Sequence, residues 1–560
     1  MNEQKENRIE TDVLIIGGGI AGLFAAVKAK EKNASLRVLL VDKCYPGASG
    51  SSVFAAGVLP NWQPGDEFEN YVREIVEDNS EYLIDQDYVS LALKESYDRF
   101  LDLVKYGVEF QRDENGEVKR IPALSSRFGK CTPYEGGVQL TWKVRSEGVK
   151  RGVKNLDRVF ITDLLMKDGV CCGAVGFHIL SGEFFVINSW ATIIATGSIF
   201  FSRTQMGTSG TTGDGMAAAF RAGAQIRNAE QLWATVGPAS MASPGLHVLF
   251  GNGGILVNSK GERFMEKYNP LLLEEARRFE TARAILNEWR EGRGPCWLDC
   301  RHLPSEKLNM IKTSLPLFTA GLKKMEIDLA ADRIEFVPYG LSLLHTGGIR
   351  INDADGDVGI PGLWVVGGAG DYCGGAESTT ATTLTGSSVQ GARAGLRAAE
   401  YAGGLNNRVL DEKQVRAMKA NVFKSLHNKS SEKSRLKAEE VYTGICRIIL
   451  RHVNLFKDEN MLQKAIKEIH NLKEEFGVGG AVDIRGLQKV HEVKNMLQLA
   501  EVIARSSLMR TESRSAHFRM DFPQRDDTNW LKWVVARANG DGIDIWTEDI
   551  PISRWRYRPF

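Results

Sequence analysis

Three glycines, Gly17, Gly19 and Gly22, stand in the spacing G-x-G-x-x-G. In this pattern the first glycine permits a tight turn and the second lets backbone approach a pyrophosphate. The third lets a helix pack closely on a strand. The chemistry implied is the cradling of a dinucleotide, with phosphates against backbone N–H groups at the positive end of a helix. Asp42 follows Gly22 by twenty residues, where an acidic side chain accepts hydrogen bonds from ribose hydroxyls.

Such residues work only if particular elements surround them. Residues 11–16, TDVLII, are a short apolar run of strand type, LFAAVKAKEK after the glycines is Ala-rich and helical, and LRVLLVD (36–42) is a second strand ending in the acid. Strand, Gly-rich turn, helix and strand make a βαβ unit. ATIIATG (191–197) is a further strand, and GTTGDGMAAAFRAGA (210–224) reads as a loop entering a helix. The texture changes over 235–340, where charged helical stretches such as LLLEEARRFETARAILNEWREG appear. Strand-like and Gly-rich sequence returns in HTGGIRIN and GLWVVGGAGD. The expected fold class is α/β: a Rossmann-like nucleotide domain in two parts, 1–234 and 341–408, interrupted by an inserted domain at 235–340. A Lys/Glu-rich stretch at 409–505 has the apolar spacing of a helical domain, and a Trp- and Arg-rich tail segment spans 506–560.

Composition narrows the classes. The 560 residues are 43% apolar and 25% charged with a net charge of +1, as in a soluble globular protein without a global field for nucleic acid or anionic membrane. No uncharged apolar run reaches the roughly 18 residues of a membrane span, and the polar start, MNEQKENRIETD, lacks a signal peptide's apolar stretch. A cytoplasmic protein without direct membrane insertion is expected. The 8 cysteines include no CxxC and no ferredoxin-type spacing, so no metal cluster is expected in this chain.

The chain resembles the succinate dehydrogenase/fumarate reductase flavoprotein family, which includes L-aspartate oxidase and the flavin subunit of adenylylsulfate reductase. The marks, in order, are GGGIAG (17–22), ATG (195–197), TTGDGMAAAFRAGA (211–224), NSKGERFMEKY (258–268), GLWVVGG (362–368) and ESRSAHFRMDFPQRDD (512–527). The resemblance implies an FAD-binding domain, an inserted α+β capping domain over the flavin, and a C-terminal helical domain. It implies FAD contacts from Gly17, Gly19, Gly22, Asp42, Lys43, Ser49, Gly50 and Ser51, and from Ala195, Thr196, Gly197 and Asp214. In the resumed part it implies Gly367, Asp371, Thr383 and Leu384.

Departures from the family pattern are informative. Ser51 stands where respiratory relatives carry the histidine that links covalently to FAD, so a non-covalent FAD is expected. The HGANR-type segment that binds a substrate carboxylate reads GGAES (374–378), with Glu377 and Ser378 in place of Asn and Arg. A carboxylate there repels a dicarboxylate in a poorly solvated pocket. The QFHPT-type segment reads QLWAT, with Trp233 for His, and the His of the H-x-x-x-GG segment aligns with Leu343, two residues before His345. Succinate, fumarate and aspartate are therefore not expected as substrates.

The candidate catalytic residues are Arg278, His345, Tyr372 and Glu377. Arg278 and Arg283 match the R-D-x-x-x-R segment whose first Arg shuttles a proton, and the other reading of each is an exposed helical arginine paired with Glu274 or Glu280. His345 is placed to donate to an anionic group or act as a base near neutral pH, or is a structural histidine. Tyr372 can serve as an acid or donor. Cys373 is either a reactive thiol or a buried one. Trp233 either stacks on substrate or fills the core, and Glu377 either binds a cationic group, acts as a base or pairs with Arg278. The tail's alternating charges read as a structural network or as a partner surface. The expectation is an FAD-dependent oxidoreductase doing two-electron chemistry on a small-molecule substrate and exchanging electrons with an iron–sulfur partner, as in adenylylsulfate reductase. The alternatives are a partner-free flavin oxidase and a non-catalytic flavin electron-transfer subunit.

Overall fold

The computed structural model describes residues 5–123, 126–202, 207–208, 210–241, 247–343, 346–371, 375, 382–403, 410–427, 436–540 and 542–560. Its central sheet has seven strands. Glu6–Ile16 lies near the middle, parallel to Val38–Val41 on one side and to Phe184–Ile194 on the other. Both faces of its inner half are covered, so the strand is apolar without alternation. Leu14 and Ile16 join the apolar core on one face while Val13 and Ile15 join the core on the other. Leu363–Val365 pairs parallel to Phe184–Ile194 and returns the later part of the chain to the same sheet.

The helix Ile20–Lys32 buries every residue from Ile20 to Ala29, as expected of a helix packed on several sides. Its main neighbour is the helix Thr382–Gly403. The two backbones touch at glycines: a Cβ on Gly391 would sit 2.1 Å from the Ala21 carbonyl oxygen, and one on Gly395 would sit 2.3 Å from that of Ala25. Two helices distant in sequence are thus locked together beside the Gly-rich turn.

A separate four-stranded antiparallel sheet runs Trp233–Pro238, Ile334–Ser342, Cys296–Asp299, Ile255–Val257 in spatial order. The helix Arg278–Arg290 packs on it through Phe279, Ala282 and Ile285. The helices Glu412–His427, Ala438–His452, Glu459–Phe476 and Ile484–Met509 follow. The last is the longest and buries Glu492, Asn495 and most of its apolar side chains. The tail hairpin, Lys532–Asn539 and Gly542–Asp549, extends a small antiparallel sheet begun by Ile226–Arg227 and Gly348–Ile349.

The tail's alternating charges are buried ion pairs. Arg510 donates to Glu230 at 2.8 Å and to Glu512 at 2.8 Å, Arg514 donates to both oxygens of Glu512 at 2.7 and 2.9 Å, and Arg519 donates to Asp521 at 2.7 Å. Arg510, Arg514 and Arg519 are almost wholly buried. Bidentate guanidinium–carboxylate geometry satisfies charges that would otherwise be costly in the interior. No described helix is long and apolar enough to cross a membrane.

Candidate functional site

A cavity of about 360 Å³ opens at the carboxyl ends of the central strands, lined by the Gly-rich turn, the end of the second strand and the loops after the third. This is where open α/β sheets hold ligands. The turn's shape is fixed by close approach. Gly17 has φ +110°, and a Cβ there would lie 2.3 Å from the Ala195 carbonyl oxygen. A Cβ on Gly22 would lie 2.0 Å from the Gly17 carbonyl oxygen, and one on Gly18, a free position of the motif, 2.4 Å from Pro46 Cα. Gly19 differs: a Cβ there would meet only the Ser52 hydroxyl, at 3.4 Å, and would otherwise occupy the cavity.

Asp42 holds the turn directly. One carboxylate oxygen accepts from the Gly18 N–H at 2.7 Å, and the other accepts from the Cys44 N–H at 2.6 Å and from the Ser49 hydroxyl at 3.3 Å. Lys43 donates to Asp214 at 2.7 Å, to the Thr212 hydroxyl at 3.1 Å and to Glu492 at 3.2 Å. Burial opposes the ammonium charge, but Asp214 and Glu492 outweigh it and hold Lys43's pKa above its ordinary value. Burial likewise opposes the Glu492 carboxylate, yet Lys43 and Lys489 bring its pKa down to about 2. Phe160, Val159 and Leu164 supply an apolar wall beside this charged group.

Two hydroxyl groups along the cavity, Thr196 Oγ1 and Ser198 Oγ, are buried without a hydrogen-bond partner among the described residues. Buried polar atoms are normally paired, so these atoms are suited to a polar ligand. The open helix N-terminus, the Gly19 gap, the apolar wall and the two hydroxyls together fit a dinucleotide.

Among the candidate cofactor residues, Gly17, Gly19, Asp42, Lys43, Ser49, Gly50, Ser51, Ala195, Thr196, Gly197, Asp214 and Gly367 line the cavity. Gly22 lies behind it, in the helix–strand contact. Asp371 is turned elsewhere: its carboxylate pairs with Arg227 and accepts from the Ile351 N–H at 3.1 Å. Thr383 and Leu384 sit at the start of the helix Thr382–Gly403, outside the cavity lining. Gly18, Ser52, Ser198, Gly368 and Ser387 also line it, and the motif reading missed them. Each adjoins or lies near a recognised residue, so widening each motif by one position finds most of them. Glu492 has no such signal.

Arg278 lies at a second large cleft, about 660 Å³, shared with Glu81, Arg277 and Arg525. Its guanidinium lies 5.6 Å from the centre of the buried Trp233 ring. Glu274 accepts from Arg263 at 2.6 Å, and Glu280 accepts from the Arg277 N–H at 3.0 Å. Trp233 Nε1 and both polar atoms of the Gln231 amide are buried without a partner among the described residues. His345, Tyr372, Cys373, Glu377 and Ser378 lie outside the described residues.

Comparison with known proteins decides the family. The FAD binding domain family matches residues 12–389, and the fumarate reductase flavoprotein C-terminal family matches residues 444–560. This chain belongs to the fumarate reductase/succinate dehydrogenase flavoprotein family. The flavoprotein is 30% identical to a chain of the CoM/CoB fumarate reductase of Methanothermobacter marburgensis, over 92% of this chain and 95% of that one. Its structure resembles the flavoprotein of E. coli quinol fumarate reductase with a TM-score of 0.89 at 25% identity, covering 98% of each chain. Adenylylsulfate reductase from Archaeoglobus fulgidus aligns with a TM-score of 0.83 at 19% identity, over 99% of this chain and 98% of that one, a likeness of fold alone. The flavoprotein is therefore an FAD-dependent oxidoreductase, and the cavity at Gly17–Gly22 suits its FAD. When bound, FAD supplies the two-electron redox chemistry, while the chain supplies position and electrostatics.

Proposed function

We propose that this flavoprotein binds FAD non-covalently and acts on a substrate other than succinate, fumarate or aspartate. We further propose that it exchanges electrons with an iron–sulfur partner subunit, in the cytoplasm. Ser51 on the cavity wall carries the first part: a hydroxyl cannot form the linkage that a histidine forms there. The buried Trp233 under the Arg278 guanidinium supports the second. A bulky indole replaces the family's histidine, and its N–H has no acceptor among the described residues, which suits a ligand. In this reading Arg278 donates or shuttles the proton, with His345, Tyr372 and Glu377 completing the substrate side. The substrate lies between the FAD-binding domain and the capping domain at 235–340, whose separate sheet supports that division of the chain.

The test is purification from the native source without added flavin. The expected result is yellow protein that releases all its flavin on acid precipitation, together with a second chain showing iron–sulfur absorption. Flavin retained in the precipitate refutes the Ser51 reading. A pure flavin spectrum from a partner-free protein that reduces oxygen refutes the partner.

A further inference from the structure

The cavity's charged wall draws on a part of the chain far from any nucleotide motif. Glu492 and Asn495 lie on the helix Ile484–Met509, in the C-terminal helical region. Neither lines the cavity, but each bonds to a residue that does. Glu492 accepts from Lys43 at 3.2 Å, and Asn495 donates to Asp214 at 2.9 Å. Both side chains are buried. Each is also held from behind: Glu492 accepts from Lys489 at 2.8 Å and Gln488 at 2.9 Å, and the Asn495 oxygen accepts from Arg221 at 2.9 Å.

Hydrogen-bond capacity shows what these contacts do. An ammonium has three donors, and Lys43 spends them on Thr212, Asp214 and Glu492. It has none left for a ligand. Asp214 accepts from Lys43, Thr212 at 2.8 Å and Asn495, which fixes its carboxylate and leaves acceptor capacity toward the cavity. Lys43 follows Asp42 at the end of the second strand, the ribose side of a bound dinucleotide. The aromatic ring of Phe160 lies beside it, 5.6 Å from Lys43 Nζ.

We propose that Glu492 and Asn495 are positioning residues of the FAD site: they hold the Lys43–Asp214 pair at the adenosine end of the cavity, so that retention of FAD depends on the docked C-terminal helix. The inference rests on the family's FAD and not on the substrate proposed above, so it stands or falls separately.

The experiment uses the full chain stripped of FAD and retitrated with FAD while flavin fluorescence is followed, with ADP as a competitor lacking flavin. Glu492→Gln should weaken both FAD and ADP by roughly tenfold or more, and Asn495→Ala should weaken both in the same direction. In a double-mutant cycle with Lys43→Gln, the paired variant should bind FAD no more weakly than Glu492→Gln alone, because the two charges act as a unit. Native FAD affinity in both single variants overturns the proposal. So does a loss seen for FAD but absent for ADP, or strict additivity in the cycle. If Glu492→Gln does not fold, Asn495→Ala with the FAD and ADP titrations decides by the same outcomes.

Discussion

Asp42→Asn tests the phosphate-binding turn most directly. The carboxylate uses one oxygen for the Gly18 N–H at 2.7 Å and the other for the Cys44 N–H at 2.6 Å. Asparagine has one carbonyl oxygen and one NH₂ group. Whichever way the amide is turned, one of these backbone donors faces another donor. Gly18 is buried and has no room to swing away, because Pro46 packs against its Cα. The amide keeps its oxygen on the buried Gly18 N–H, so the substitution weakens that bond and removes the charge-assisted one to the exposed Cys44 N–H, which then faces the NH₂ group. Bonds to charged groups contribute about 1.5–3 kcal/mol each. Because these overlap, about 2–3 kcal/mol is expected in total, or roughly 30- to 150-fold in an equilibrium constant. The loss divides between the stability of the apoprotein and its affinity for FAD, since the turn can relax when the cavity is empty. Urea unfolding of the apoprotein measures the first share, and fluorescence titration with FAD measures the second. A summed loss below about 1 kcal/mol would show that Asp42 does not hold the turn.

Two further substitutions test the packing and the buried charges. Gly391→Ala places a Cβ 2.1 Å from the Ala21 carbonyl oxygen, so the two helices over the turn must separate. A loss of about 1–3 kcal/mol in urea unfolding is expected, and native stability would show that this contact yields freely. Lys457 is fully buried, and burial first, then the neighbouring Arg519, lower its pKa from 10.5 to about 7. The unfolded chain therefore binds the proton more tightly, and stability rises with pH from about 7 towards 10.5. Lys457→Met should flatten this rise in unfolding free energy between pH 7 and pH 9, and an unchanged slope would refute the assignment.

The first βαβ unit was legible because everything that defines it is local. The apolar period, the glycine spacing and the terminal acid fall in one stretch from Thr11 to Asp42, and each requires the others. The first and last strands of the second sheet, Trp233–Pro238 and Ile334–Ser342, also lie where the sequence texture changes, and they pair with each other. What remained hidden depends on partners remote in sequence. Asp371 follows a Gly-rich strand end and resembles a cofactor ligand, yet its carboxylate is taken by Arg227, which stacks 4.3 Å from the Trp533 ring of the tail. No local pattern announces that three-part contact. Gly18 was hidden differently. The motif marks it as free, but the chain returning through Pro46 makes it as constrained as Gly17 and Gly22.

The same distinction explains how the site can be both stable and open to ligand. At the turn and beside Lys43, every named polar group is satisfied by the protein itself, so that part of the cavity is built before anything binds. Thr196, Ser198, Gln231 and Trp233 instead carry buried polar atoms without partners among the described residues. Each such atom costs about 1–3 kcal/mol when left unmade, a penalty that a ligand bonding to it removes. Thr196 and Ser198 lie on the FAD cavity, whereas Trp233 lies against Arg278, a residue of the second cleft. The unmet bonding of Thr196 and Ser198 therefore falls where a bound cofactor can meet it. Ligand at the FAD cavity should therefore stabilise the chain with no substrate present.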